Sequence, residues 1–456
     1  MIFLRALIFW VLLFGVTKAE GLFRITVVDA GNGWPVPMVE LRTTHQISFV
    51  SDNAGIIAFD LPELMGVETW FSIEGHGYGV KADGFGYRGV RLTPVAGGEA
   101  TVKVIRSLPG KRLGRLTGAG LFGESQRFGL EEDWKESGVV GCDSVQPAEH
   151  LGKLHWAWGD TLMPGYPLGL FHMTGAVTGL KPLKSFEPPV RMRYDYFRDD
   201  AGKVRSIAKM EGAGPTWLGG CVSVPDREGR ARLVAIYDKI EGHLTTYERG
   251  LCVWNEESEN FEKLQVLWTR KDSGSEPPVA PNGHPVKWRD EQGKEWLLFG
   301  DPFPTIKCPA TFEGWRDPAQ WERLTPQKEV MSAGGKGVIP HRGAIAWSEL
   351  RKRWVSVFTQ HFGKPSMLGE IWYSESDEAT GPWGPAVKVV THQNYTFYNP
   401  CLHPGFTKDD SGILLFEATF TSEFADRPSP AARYNYNQVL YRLDLDDPAL
   451  APARRK

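Results

Sequence analysis

The residues best suited to chemistry are two acids a short distance apart. Asp143 stands in Gly141-Cys142-Asp143-Ser144, a segment of small and apolar residues, where a carboxylate is costly to bury unless it is paired or used. Asp160 follows a polar turn, in Trp156-Ala157-Trp158-Gly159-Asp160-Thr161, so the two segments read as adjacent strands. Two carboxylates on neighbouring strands are what cleavage of a glycosidic bond requires. One protonates the departing oxygen, and the other attacks the anomeric carbon or activates water. Aspartates also cap strand-end turns, and Asp160, Asp238 and Asp301 are all open to that reading. Glu417, and Glu211 ahead of Gly212-Ala213-Gly214-Pro215-Thr216-Trp217, are further candidates for the proton donor.

A second set of residues suits binding. His341-Arg342 offers a fork of donors for a carboxylate or sulfate on an acidic sugar, or else forms a structural ion pair. Asn282, His284, Asp301, Tyr398, Asn399 and His403 are polar groups at comparable points of a repeat, placed to contact sugar hydroxyls. His284 or His403 could instead hold a channel metal such as a structural calcium through waters. No ladder of aspartates and no helical His pair marks a dedicated metal site, and no cofactor is expected. Phosphate-binding glycine loops, a serine-hydrolase elbow and Cys-x-x-Cys pairs are missing from the sequence. Two alternatives to hydrolysis stay open. In a lyase, His341 or His403 with Tyr398 would remove a proton beside a uronic carboxylate held by Arg342; a third possibility is carbohydrate binding without catalysis.

These residues need a scaffold that brings distant segments to one place. Five segments share one plan, an inner strand, a polar turn and a second apolar strand closed by a polar or acidic residue. They begin at Gly141, Gly219, Asn282, Arg342 and Asn399, with second strands starting near Leu154, Leu233, Trp296, Trp354 and Ile413. A spacing of roughly 60 to 80 residues is that of four-stranded blades with long loops, which predicts a five-bladed β-propeller over residues 124–448. Function then belongs at one end of the channel, where inner strands start and second strands end. Residues 128–138 are a possible source of a closing strand for the last blade.

Upstream, short alternating strands separated by turn residues run from Leu22 to about Ile105, and residues 22–107 read as a small β-sandwich. Residues 108–123, basic and glycine-rich, read as a linker, and 449–456 as a tail. The whole chain is therefore expected to be all-β, as 51 glycines, 32 prolines and 17 tryptophans also suggest. Arg5, the apolar run Ala6 to Val16 and Thr17-Lys18-Ala19 read as a signal peptide over residues 1–19, giving a secreted or periplasmic protein. That run is about half the roughly twenty residues a membrane span needs, so no integral membrane segment is expected. A net charge of -3 with scattered charges offers no basic face for nucleic acid. Of the five cysteines, Cys221 and Cys252 are the one suggested disulfide pair; otherwise all five are small buried residues.

Two resemblances follow. Thr26-Val27-Val28-Asp29 ending in Gly33-Trp34-Pro35-Val36-Pro37, with Ser51-Asp52-Asn53-Ala54-Gly55, resembles the carboxypeptidase-regulatory-like or transthyretin-like domain, usually an accessory module. Gly-x-Asp-Ser, then Leu154-x-Trp156-x-Trp158-Gly159-Asp160-Thr161, the later Arg353-Trp354-Val355-Ser356-Val357 and Gly381-Pro382-Trp383, and Tyr398-Asn399-Pro400-x-x-His403-Pro404 resemble the five-bladed propeller family of endo-D-arabinanase-like glycoside hydrolases. That likeness implies acid catalysis at the channel mouth on a polysaccharide or oligosaccharide, with Asp143 and Asp160 at matching motif positions. The sandwich and the long closing region from Phe416 depart from the pattern, so the substrate could differ.

Overall fold

The computed structural model describes residues 21–454, except 181–186, 243, 274–275, 365, 408–410 and 426–434. The expected signal peptide lies outside the described residues. Two four-stranded sheets form the amino-terminal sandwich. Its first strand, Phe23–Asp29, alternates buried and half-buried residues as a one-sided strand should. Phe23, Ile25, Val27, Leu41, Phe71 and Val104 meet in the core between the sheets.

Five four-stranded antiparallel sheets follow. Their first strands are Gln146–His150, Thr216–Pro225, Val286–Arg289, Pro340–Ser348 and Thr396–Leu402, and their second strands are Lys153–Trp158, Ala231–Glu241, Glu295–Gly300, Arg353–His361 and Ile413–Thr421. A single cavity is lined by residues from all five first strands, so these surround one channel as the blades of a propeller. Second strands are packed on both faces by neighbouring blades. Accordingly, Trp296 to Gly300 are buried without alternation.

The ring is closed by a strand the sequence did not reveal. Lys111–Arg115 pairs with Asn437–Asp444 as the outer strand of blade five. Residues 111–115 of the expected linker are therefore a strand of the last blade, and residues 128–138 do not supply the closing strand. Lys111–Arg115 is short, basic and contains Gly114, so it lacks the apolar run by which strands are recognised. Arg112 points from it into the sandwich and is buried, donating to the carbonyls of Pro37 at 2.9 Å, Gly75 at 2.8 Å and His76 at 2.7 Å. Asp52 of the sandwich accepts from the Ser125 amide and hydroxyl, both at 2.7 Å. The tail is likewise built in: Pro448–Arg454 forms a short helix whose Leu450 and Ala453 join the core between blades four and five.

Among the described residues, no helix is long and apolar enough to cross a membrane. All five cysteines are free and buried, which corrects the suggested Cys221–Cys252 pair. Both sit in blade two as small apolar residues, and the Cys252 thiol donates to the Ala235 carbonyl at 3.2 Å.

Candidate active site

Just before or within each first strand the backbone is irregular. Ser144, Gly220, Gly283 and Asn399 all take positive φ there, and the strands of blades two, four and five shift register at the same point. Such irregularities re-aim the preceding side chain out of the sheet. The residues at this point are Asp143, Asn282 and Tyr398, with Gly219 in blade two and Arg342 at the register shift of blade four. These are equivalent positions of the repeat, gathered at one mouth of the channel.

Asp143 is the centre of the group. Gly141–Cys142 belongs to a small extra sheet with Thr161–Met163 and Tyr166–Leu170, and Asp143 lies where the chain leaves that sheet for blade one. The Asp143 amide donates to the Asp160 carbonyl at 3.2 Å, and the Gly159 amide to the Asp143 carbonyl at 2.8 Å, so the two acids are backbone neighbours. A Cβ on Gly159 would come within 2.1 Å of Asp143 Oδ1, so only glycine leaves room for that carboxylate. Oδ2 accepts from the Tyr398 hydroxyl at 2.5 Å and the Tyr436 hydroxyl at 2.9 Å. Oδ1 is buried and makes no hydrogen bond among the described residues. Burial raises the Asp143 pKa, while the two phenols work against that rise by stabilising the anion.

Among the described residues, Asp160 has fewer donors. The Trp217 indole N–H donates to its Oδ1 at 3.2 Å. Burial, and then the charge of Asp143, push its pKa up to about 7, and Glu423 adds to the same effect. Glu423 is raised as well, by burial and by Asp143. It follows the second strand of blade five and was not singled out by the sequence. Its loop is fixed to blade four, since the Phe424 carbonyl accepts from the Met367 amide at 3.2 Å, and the Phe424 ring meets that of Tyr398 edge-on at 6.2 Å. Three acids thus share one basin.

Glu417 is not among them. It sits mid-strand in Ile413–Thr421, fully buried, and its Oε1 lies 2.8 Å from His403 Nε2. His403 packs against Trp156 and Phe406, so this pair belongs to the seam between blades five and one, and neither residue reaches the mouth. The counterpart of Asp160 lies beyond the strand's end at Thr421, which is why Glu423 occupies the position expected for Glu417. Glu211 is exposed and borders an outer groove with Lys263 and Asn260.

The remaining expected contacts divide. Asn282 Oδ1 accepts from the Gly283 amide at 2.7 Å and fills the space beside Gly219, where a Cβ would come within 1.9 Å of it. Asp301 accepts from the Gly343 amide at 2.8 Å and pairs with Arg342 at 3.2 Å, tying blade three to blade four. Arg342 is thus both ion-paired and exposed. His284 lines the channel, its pKa lowered by burial to about 3, and His341 faces His361 with ring centroids 5.0 Å apart and a pKa lowered by burial to about 4. Asn399 donates to the Ser144 hydroxyl, so it holds the Asp143 turn more directly than it could hold a sugar. Asp238 is a structural partner, bidentate with Arg249 at 2.7 and 2.8 Å. Among the described residues, no group of three or more His, Cys, Asp or Glu side chains is arranged to hold a metal ion.

No family model matches this chain, and no curated protein matches it. Solved structures with a similar strand layout include an exo-1,5-α-L-arabinanase from a bovine ruminal metagenomic library, at 12% identity, covering 68% of this chain and 95% of that one with a TM-score of 0.40. Others are an arabinanase of Bacillus subtilis, at 11% identity, 67% and 95% coverage and a TM-score of 0.39, and an endo-1,5-α-L-arabinanase of Thermotoga petrophila, at 12% identity, 66% and 71% coverage and a TM-score of 0.37. Likenesses of this size assign no role to any residue.

Proposed function

We propose that this protein is a glycoside hydrolase that cleaves a polysaccharide at the channel mouth, with Asp143 as nucleophile or base and Asp160 as proton donor. The observation that carries this reading is the unequal environment of two adjacent acids. Burial raises the pKa of both acids, but Asp143 has two phenolic donors that favour its anion, whereas Asp160, pushed to about 7, has one indole donor among the described residues. Adjacent acids whose hydrogen-bond donors differ in this way are suited to opposite roles. Glu423 supports the arrangement by adding negative charge that keeps the proton on Asp160. Tyr398 is committed to Asp143 as a donor, and a His341 of such low basicity is a poor proton abstractor, which weighs against the lyase chemistry.

Incubation of purified protein with a panel of polysaccharides tests the proposal. Release of reducing ends is expected; ultraviolet-absorbing unsaturated ends would mean a lyase, and binding without products would mean a lectin-like role. On this reading the sandwich is an accessory module. Residues 1–19 would be a cleaved leader, so amino-terminal sequencing of the exported protein should begin at Glu20.

The pH profile has a definite sign. Turnover needs Asp160 protonated, so kcat should fall as pH rises through about 7. The Trp217 N–H stabilises the charged form of Asp160, so Trp217→Phe should move this alkaline limb upward, by about half to one pH unit. A limb that stays in place or moves down would remove Asp160 from the donor role.

A further inference from the structure

The far part of the channel, toward the ends of the first strands, belongs to the cavity of about 700 Å³ that all five blades line. Its apolar lining residues include Leu151, Val222, Val286, Ile345 and Leu402. Two other lining residues, Ser223 of blade two and His150 of blade one, are joined by a hydrogen bond of 2.8 Å between Ser223 Oγ and His150 Nδ1. The other ring nitrogen, Nε2, lies 2.7 Å from Glu256 Oε1. Glu256 occupies the turn after Thr245–Asn255, and its second oxygen accepts from the Trp254 indole at 3.1 Å.

These contacts fix the imidazole. A carboxylate only accepts, so Nε2 carries the hydrogen given to Glu256, and Nδ1 is left as an acceptor for the serine O–H. The ring is buried, while Ser223 is partly exposed and faces the cavity. A hydroxyl, a base and an acid that orients the base are the three roles of an acyl-transfer site, and they are recognised by geometry and not by chain order. Lys287, from the first strand of blade three, brings a positive charge to the same lining.

We propose that Ser223, His150 and Glu256 form a second catalytic site, a serine esterase for short acyl esters whose acyl group enters this cavity. Ser223 Oγ attacks the ester carbonyl carbon as its proton passes to His150 Nδ1. The ester C–O bond breaks, and the departing alkoxide takes that proton and leaves as the alcohol. Water then attacks the acyl-serine, gives a proton to Nδ1, and releases the carboxylic acid as the proton returns to Ser223. Water is the only co-reactant, and the site is independent of the acids at the channel mouth.

The test uses the intact exported protein with p-nitrophenyl butyrate and a fluorophosphonate reagent. The expected results are ester turnover above background and one covalent adduct, mapped by mass spectrometry to Ser223, that abolishes this turnover. Ser223→Ala should remove both signals, and Glu256→Gln should lower turnover by about 10- to 100-fold while the protein still labels slowly. Absence of an adduct on the wild-type protein, or an adduct on another residue, would overturn the assignment without any variant having to fold. Retention of full ester turnover in Ser223→Ala would overturn it equally.

Discussion

Replacement of Asp143 by asparagine is expected to lower kcat/KM on the polysaccharide cleaved by wild type by about a thousandfold or more, without loss of the fold. The loss follows from geometry: asparagine can still accept from Tyr398 and Tyr436, so the pocket keeps its shape, but it can neither attack nor take a proton. Stability should move the other way. The folded-state pKa of Asp143 is raised above its ordinary value, so the folded state holds a proton more firmly than the unfolded chain. Its contribution is therefore most favourable below pH 4 or so and declines as pH rises through the folded value. Asparagine removes this decline. Thermal unfolding at neutral pH should show a Tm equal to or above that of wild type, and a fall of many degrees would mean that the activity loss reports unfolding.

The second large effect is structural. Arg112→Met should cost about 3–5 kcal/mol, because it leaves the buried carbonyls of Pro37, Gly75 and His76 without their donor in a place water does not reach. Wild type should unfold in one transition by calorimetry, since sandwich and propeller share this side chain and the Asp52–Ser125 contact. The variant should show two, with the earlier one belonging to the sandwich. A single transition at unchanged temperature would show that the two domains are held by something other than Arg112.

The repeat was legible in the sequence wherever local chemistry recurs. An inner strand, a polar turn and a second apolar strand closed by a polar residue recur five times, and in four of the five the structure adds a positive-φ residue after the presented one, Ser144, Gly220, Gly283 and Asn399. Asp160 was visible because it closes a short strand. Glu417 misled because a nine-residue strand hides its own end, and an acid at its middle looks like one at its mouth. Tyr436 was unreadable for another reason: what makes it functional is contact with Asp143, 293 positions away, and nothing in its neighbourhood announces that. The same distance concealed Lys111–Arg115, whose partner strand comes at the far end of the chain.

That closing strand also governs when the molecule can exist. As the chain emerges in order, the sandwich and Lys111–Arg115 come first, yet the partner strand Asn437–Asp444 arrives only after four blades have been made. The entropy of closing so long a loop is met by a strand pairing that has no earlier substitute. Four blades without the fifth therefore form an open arc with two unpaired flanks, prone to stick to its neighbours. Because Arg112 lies on the closing strand, the strand that seals the ring is also the one that reaches into the sandwich, and a chain stopped before Asn437 leaves that strand without its partner.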